Sequence, residues 1–295
     1  MKKSVKNGQA LSFMGYIIIS GISVLCVLPF VVVLSSSFSS QESLLKYGYP
    51  LIPRYFSLEG YKAILQNPVD ILNAYCVTIY ATCVGTIIGM FLTSMASYVL
   101  WRKDFPWRNS CAFFLYFTTL FSGGLVPYYI LCVQYLHFKQ LPLIAVVVPG
   151  FIGVFNIIII RNFMKSIPDS IVESAKMDGG GDFMIFVRLV LPLSKPALAS
   201  IGLFVAFGYW NDWYTSFLFI TNPRYYQLQY YLYRMINSAE ISQRYAQIYG
   251  ISISELPTET MKMAMTIVVI GPIIFLYPFL QKYFVKGLTI GAVKG

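Results

Sequence analysis

The fold class predicted by the sequence is an all-α integral membrane protein with six transmembrane helices. Three observations predict it. Of the 295 residues, 57% are hydrophobic and only 12% are charged, with a mean hydropathy of +0.65; soluble domains carry roughly 25% charged residues. That much apolar side chain exceeds what a core of this size absorbs, so lipid must be the solvent for part of it. Second, the chain holds charge-free runs over Asn7–Gln41, Ile71–Trp101, Asn109–Phe138, Gln140–Ile160, Pro196–Asn211 and Met263–Gln281. A spanning helix needs roughly 20 mostly apolar residues. Third, Phe and Tyr number 23 each, and aromatic rings gather at membrane interfaces and wet cavities.

The spans are expected at about 12–37, 74–100, 110–135, 142–162, 197–220 and 263–283, within one transmembrane domain covering 1–295. The first follows a basic start, "MKKSVKNGQA", but its apolar stretch is long for a signal peptide and "VLSSSF" is a weak cleavage signal, so an uncleaved helix is expected. The third is interrupted by Gly123, Gly124 and Pro127, which fit close helix packing or a bend. The fifth reaches spanning length only by continuing past Asp212 through "WYTSFLFIT".

Orientation follows from the cations. With the N-terminus inside, the inner segments hold Lys2, Lys3, Lys6, Arg102, Lys103, Arg108, Arg161, Lys165, Lys176, Arg188, Lys195, Lys282, Lys286 and Lys294, which is 14 of the 22 Lys and Arg residues. The excess places both termini on the cytoplasmic side of the cell membrane. The net charge of +10 therefore reads as topology, and no basic patch with interleaved aromatics suggests nucleic acid. Two outer segments, Ser39–Asp70 and Asn222–Lys262, are substantial; the second carries Tyr225, Tyr226, Tyr230, Tyr231 and Tyr233, suited to an interfacial belt, a docking face or a vestibule.

The five cysteines all lie in expected spans without a CxxC pair, against a disulfide framework or metal site. His137, the one histidine, sits at a span end. Nothing matches GxxxxGK[ST], so no cofactor is expected in this chain and any ATP that drives it is hydrolysed by another.

The loop 165–195 is too polar for lipid and too patterned to be slack. Ser166 and Asp169 form a capping-box-like start, and Pro168 fits a first turn. A helix over about 168–177 would gather Ile167, Ile171, Val172 and Ala175 on one face. Gly179, Gly180 and Gly181 would break it. Asp182 would cap a second helix carrying Phe183, Phe186, Val187 and Val190, which Pro192 would end. Such a pair suits either a knob for a groove in a soluble partner or an amphipathic surface resting on lipid.

"ESAKMDGG" (Glu173–Gly180) followed by Leu191–Pro192 resembles the EAA motif of membrane subunits of ABC importers. Glu173, Ala175, Asp178, Gly179, Leu191 and Pro192 match it, while Ser174 and Gly180 replace alanines. "FSLEGYKAIL", "FSGGLVPYYIL", "GYWNDWY" and the tail "KYFVKGLTIGAVKG" extend the resemblance over most of the chain to maltose-type carbohydrate permeases, and among them to permeases for oligosaccharides and polysaccharide fragments. The resemblance implies a type I ABC importer permease fold in which 165–195 is a cytoplasmic coupling helix seated in an ATPase cleft. It implies a second homologous permease, two ATPase subunits that bind ATP-Mg, and an extracytoplasmic sugar-binding protein as partners. It also implies that the tail 284–295 reaches between the ATPases.

Asp212 is the ionisable residue expected inside a span, where a charge is expensive and faces a cavity or partner. On a continuous helix Asn211 would share a face with Thr215, and Trp210 with Tyr214. With Trp213 they offer the ring stacking and convergent hydrogen bonds that sugars need, and are the candidate substrate path. Related permeases are expected to carry a small polar residue in place of Asp212. Two rivals remain. An ion-coupled secondary transporter or channel would be supported by several buried charges, and a membrane enzyme by clustered carboxylates or histidines.

Overall fold

The computed structural model describes residues 2–66, 68–249 and 259–274. The helices are α1 (Lys2–Ser37), α2 (Gln41–Tyr47), α3 (Glu59–Ile64), α4 (Pro68–Trp101), α5 (Arg108–Leu120), α6 (Leu125–Ile130), α7 (Pro142–Ala145), α8 (Val154–Met164), α9 (Asp169–Met177), α10 (Asp182–Ile185), α11 (Leu191–Leu193), α12 (Lys195–Trp210), α13 (Tyr214–Phe219) and α14 (Leu228–Tyr249). A further helix covers 259–274. The chain divides into two compact units, Met1–Pro68 with Leu232–Pro272, and Val69–Tyr231 with Ile273–Gly295.

Among the described residues, α4 and the 12–37 part of α1 are long and apolar enough to cross a membrane. Three bent pairs also qualify if each is one crossing, which brings the total to five. The expected span 263–283 lies only partly within the described residues, and the tail 284–295 lies outside them.

The third expected span bends where its glycines interrupt it, and the expectation of continuous fourth and fifth spans is corrected. In place of one helix over 110–135, α5 meets the 125–135 segment at 112°. Gly124 makes the break with φ +86, a conformation that glycine adopts at little cost. The 142–162 segment bends by 49° between Gly150 and Val154. The fifth stops at Trp210 and resumes at Tyr214. At this last break the Asp212 carboxylate accepts from the Thr215 N–H at 3.1 Å, a first-turn donor of α13 that has no partner within its own helix, and the Asn211 amide adds a second hydrogen bond, at 2.9 Å, to the Phe207 carbonyl, which already accepts the Asn211 N–H. Asn and Asp compete with helical hydrogen bonding in this way.

Two apolar clusters organise the second unit. One packs Val77 and Ala81 of α4 with Cys132, Phe138, Val146, Tyr209 and Phe219. Tyr209 threads between glycines: a Cβ on Gly85 would meet its ring at 2.4 Å, and one on Gly150 at 2.7 Å. Its hydroxyl donates to the Val147 carbonyl at 2.7 Å. The other cluster, described below, carries the 165–195 loop. In the first unit, the Gln41 side-chain carbonyl accepts from the N–H groups of Glu259 and Thr260, and Gly60 lies against the Thr260 carbonyl, where a Cβ would sit at 2.5 Å.

A Gly85→Ala variant is expected to displace Tyr209 and destabilise the protein by about 1–3 kcal/mol, the range for overpacking. Gly202→Ala, whose Cβ would meet Met90 at an ordinary 3.6 Å, is expected to be near neutral. Thermal unfolding midpoints of the detergent-solubilised variants check the pair.

Candidate functional site: a glycine-turned helical knob and an intramembrane pocket

The 165–195 loop is built from the apolar side inward. Val172 of α9 and Ile185, Phe186 and Val190 of the second helix are buried with Ile167 against Tyr98 and Trp101 of α4, Ile160 and Met164 of α8, and Ile201 of α12. The rings of Tyr98 and Phe186 lie 5.3 Å apart. Ile171 and Ala175 pack against the same cluster, so the face expected of α9 is the one it buries.

The second helix differs from the expectation. It passes through a π turn over Phe186–Val190 and continues to Leu193. Pro192 therefore does not end it. The extra residue in that turn shifts the helical phase, so that Ile185 is buried while Phe183 is 65% exposed and Val187 is also exposed. Two caps differ too. The Ser166 hydroxyl donates to the Phe163 carbonyl rather than capping α9, and α10 starts after Gly181 with no side-chain cap.

The glycine turn closes α9 with a defined geometry. Gly179 has φ +80; its N–H bonds the Lys176 carbonyl at 3.0 Å, and the Gly180 N–H bonds the Ala175 carbonyl at 2.9 Å. This is the Schellman arrangement, with Gly179 in the left-handed position. A Cβ on Gly180 would lie 2.7 Å from the Ala175 carbonyl oxygen, whereas one on Gly181 would meet nothing within 4 Å. Glu173, Ser174 and Asp178 are exposed on this knob. Met177 is 88% exposed at its tip, close in sequence to exposed Phe183 and Met184. Leu191 is half-buried and Pro192 exposed at the end of the second helix.

Sequence reasoning missed the ion-pair cluster that ties the knob to the turn after α4. The Arg102 guanidinium pairs with Asp104, its Nε donating to Oδ1 at 2.9 Å. Lys176 pairs with the same carboxylate, Asp182 lies 3.6 Å from both cations, and Lys103 pairs with Asp169 at the start of α9. The Arg102 guanidinium, and after it the Lys176 ammonium, hold the Asp104 carboxyl well below the usual carboxylate range. A depressed carboxyl pKa contributes stability that is fully present above the unfolded value and lost only as pH falls through the folded one. The pairing of Asp104 with Arg102 and Lys176 is therefore intact throughout the neutral and mildly acidic range.

At the fifth-span break, Asn211, Asp212, Trp213, Tyr214 and Thr215 line one cavity of about 430 Å³. Tyr209, Gly208, Val205 and Asn156 complete its wall with the 146–150 turn. Trp210 is the exception among the expected residues: it is buried and is not part of the lining. The helical pairings Asn211–Thr215 and Trp210–Tyr214 do not form as expected, because 211–213 is not helical. The break itself turns the polar groups of 211–215 toward a common space, beside the Trp213–Tyr214 ring pair at 5.7 Å. Asn156, far away in sequence, carried no local signal.

The family described as "Binding-protein-dependent transport system inner membrane component" matches residues 9–290. The chain belongs to this family. Its members are ABC transporter permeases, transport components rather than enzymes. This permease is 39% identical over 277 residues to the polygalacturonan/rhamnogalacturonan transport system permease protein YtcP of Bacillus subtilis, covering 92% of this chain and 94% of that one. It is 33% identical to protein LplC of the same organism, covering 99% and 97%. Its fold matches a crystal structure of a bacterial ABC transporter involved in import of the acidic polysaccharide alginate, with a TM-score of 0.78, 25% identity, and coverage of 94% and 97%.

Removing the shared carboxylate in an Asp104→Asn variant is expected to raise amide exchange over Lys176–Gly180 by about two- to fivefold, the range that exposed pairs command. In the unsubstituted permease that exchange, corrected for its intrinsic pH dependence, is expected to stay constant between about pH 5 and pH 8. Hydrogen-exchange mass spectrometry of the purified permease checks both.

Proposed function

We propose that this chain is one of two homologous membrane subunits of an ATP-driven oligosaccharide or polysaccharide-fragment importer, and that Glu173–Pro192 is its joint with the ATPase. The observation that carries the reading is the knob itself. A Schellman turn presents Met177 and the exposed Phe183 outward, while the opposite face is buried on the ends of three long helices. Exposed apolar side chains on a rigid turn are what a groove in a soluble partner accepts. The α9 face of Ile171, Val172 and Ala175, which a helix resting on lipid would turn to the membrane, packs against the protein's own helices instead. Glu173, Ser174, Ala175, Asp178, Gly179 and Gly180 form the turn of the joint, and Leu191 and Pro192 its return.

Two ATPase subunits would bind ATP-Mg and close. Their closure would draw two such knobs together, one from each permease, and open the shared pathway outward toward a sugar-binding protein; hydrolysis would reverse it. The loop is then cytoplasmic, as are both termini. The names of the relatives support carbohydrate as the substrate. The pocket at Asn211–Thr215 supports a place for it: Trp213 and Tyr214 offer rings for stacking, and Asn211, Asp212, Thr215 and Asn156 offer hydrogen bonds. A charged group there faces a cavity, as intramembrane charges do.

In reconstituted transporter, Gly179→Val is expected to abolish sugar-stimulated ATP hydrolysis and uptake, since a β-branched residue at φ +80 is strained by roughly 1–2 kcal/mol or more. Gly181→Ala, at φ −72 with open space around it, is expected to leave both unchanged. Glu173→Lys is expected to uncouple with normal membrane insertion. Normal uptake by Gly179→Val and Glu173→Lys would remove the joint from the mechanism. Trp213→Ala is expected to raise the half-saturating sugar concentration about tenfold, equivalent to ~1.4 kcal/mol, without changing basal ATP hydrolysis.

A further inference from the structure

A second cavity, of about 460 Å³, opens between the start of α5 and the end of α8. Four cations line it: Lys103, Arg108, Arg161 and Lys165. Asp169 is the single carboxylate of the lining, and it pairs with Lys103. Among the described residues, none of Arg108, Arg161 and Lys165 has a carboxylate within ion-pair distance. The Arg161 Nε–H is moreover buried with no acceptor. A buried donor without a partner costs free energy, more so on a charged group. The cavity thus holds three unneutralised charges and a donor aimed at no protein atom, a poor arrangement for stability and a good one for an anion with several oxygens.

We propose that this cavity binds the phosphate of an anionic phospholipid headgroup. The shared chemistry is a phosphate monoanion, met by guanidinium groups that donate in a planar fork and by an ammonium. Free inorganic phosphate is the other source of that chemistry, and the surroundings favour the lipid. The start of α5, at Arg108 and Asn109, forms part of the rim; none of the α5 side chains is buried, and Phe113 and Phe114 further along it are exposed, as is Trp107 just before it. An acyl chain leaving the headgroup site has an apolar surface to follow, and an indole beside it suits the interfacial level. The inference rests on the reading that 165–195 faces the cytoplasm, since Lys165 and the adjoining ends of α5 and α8 then lie at the inner leaflet, where anionic lipids attract juxtamembrane cations. The site abuts α9 through Asp169 and Pro168, so an occupied cavity would steady the base of the knob.

The test uses the assembled transporter, purified and exchanged into nanodiscs of phosphatidylcholine with or without phosphatidylglycerol. Native mass spectrometry reads the lipid retained, and a thermal scan reads the midpoint. Phosphatidylglycerol is expected to be retained in preference to phosphatidylcholine and to raise the midpoint, while millimolar inorganic phosphate does neither. Arg161→Gln with Lys165→Gln is expected to bind phosphatidylglycerol about tenfold more weakly. Because Arg161 is partly enclosed, Arg108→Gln with Lys165→Gln provides a second variant at more open positions, with the same expected loss. Equal retention of the two lipids, unchanged retention in both variants, or an equal midpoint shift from inorganic phosphate alone would overturn the proposal. So would loss of the ATPase from the variants with lipid retention unaltered, which would make the cations a protein contact. Sugar-stimulated ATP hydrolysis in phosphatidylcholine alone reports on the importer reading separately, and its presence beside absent lipid selectivity would reject this site while leaving that reading in place.

Discussion

The architecture of the 165–195 loop depends on the apolar clamp that holds it to the helix ends. Val172, Ile185, Phe186 and Val190 are buried against Tyr98, Trp101, Ile160, Met164 and Ile201. Burial of each large apolar side chain contributes roughly 1.5–3 kcal/mol, whereas an exposed ion pair contributes about 0–1 kcal/mol. The clamp therefore supplies the adhesion. The ion pairs among Arg102, Asp104, Lys176 and Asp182 add a second tie between the knob and the turn after α4. The adhesion is spread over the ends of α4 and α8 and over α12.

The glycines answer to the geometry of the turn. Gly179 alone takes the left-handed conformation that the turn needs, and Gly180 passes close to the Ala175 carbonyl. The turn has no side chains to clash and two backbone hydrogen bonds to hold it, so its tip is exposed and still ordered. At the other functional region the logic is different. There the helix stops at Trp210 and resumes at Tyr214, with the Asp212 carboxylate accepting the Thr215 N–H at the restart. The break is what makes the cavity: a continuous helix would have dispersed these polar groups around its circumference.

Much of this was legible in the sequence. Among the described residues, the first four charge-free runs coincide with two helices and two bent pairs long and apolar enough to cross a membrane, the buried face of α9 followed from Ile171, Val172 and Ala175, and the glycine turn followed from three consecutive glycines. What was not legible had physical causes. The π turn over Phe186–Val190 shifted the phase of the second helix, so that Phe183, expected inside, is outside. The breaks at 151–153 and 211–213 depend on tertiary room for displaced main chain, which hydropathy does not register, whereas the one at 121–124 was signalled by Gly123 and Gly124. The Asp104 cluster joins groups 66 and 72 residues apart in sequence, and Asn156 reaches the cavity across a comparable distance; neither leaves a local pattern.

The central claim is that the knob enters an ATPase, and the exposed Met177 at its tip offers the most direct measurement. A benzoylphenylalanine photocrosslinker placed at position 177 of the assembled transporter should yield an adduct with the ATPase subunit, with more of it when ATP is bound and hydrolysis is blocked. Adducts with lipid alone, or none with the ATPase in either nucleotide state while uptake remains normal, would contradict the account.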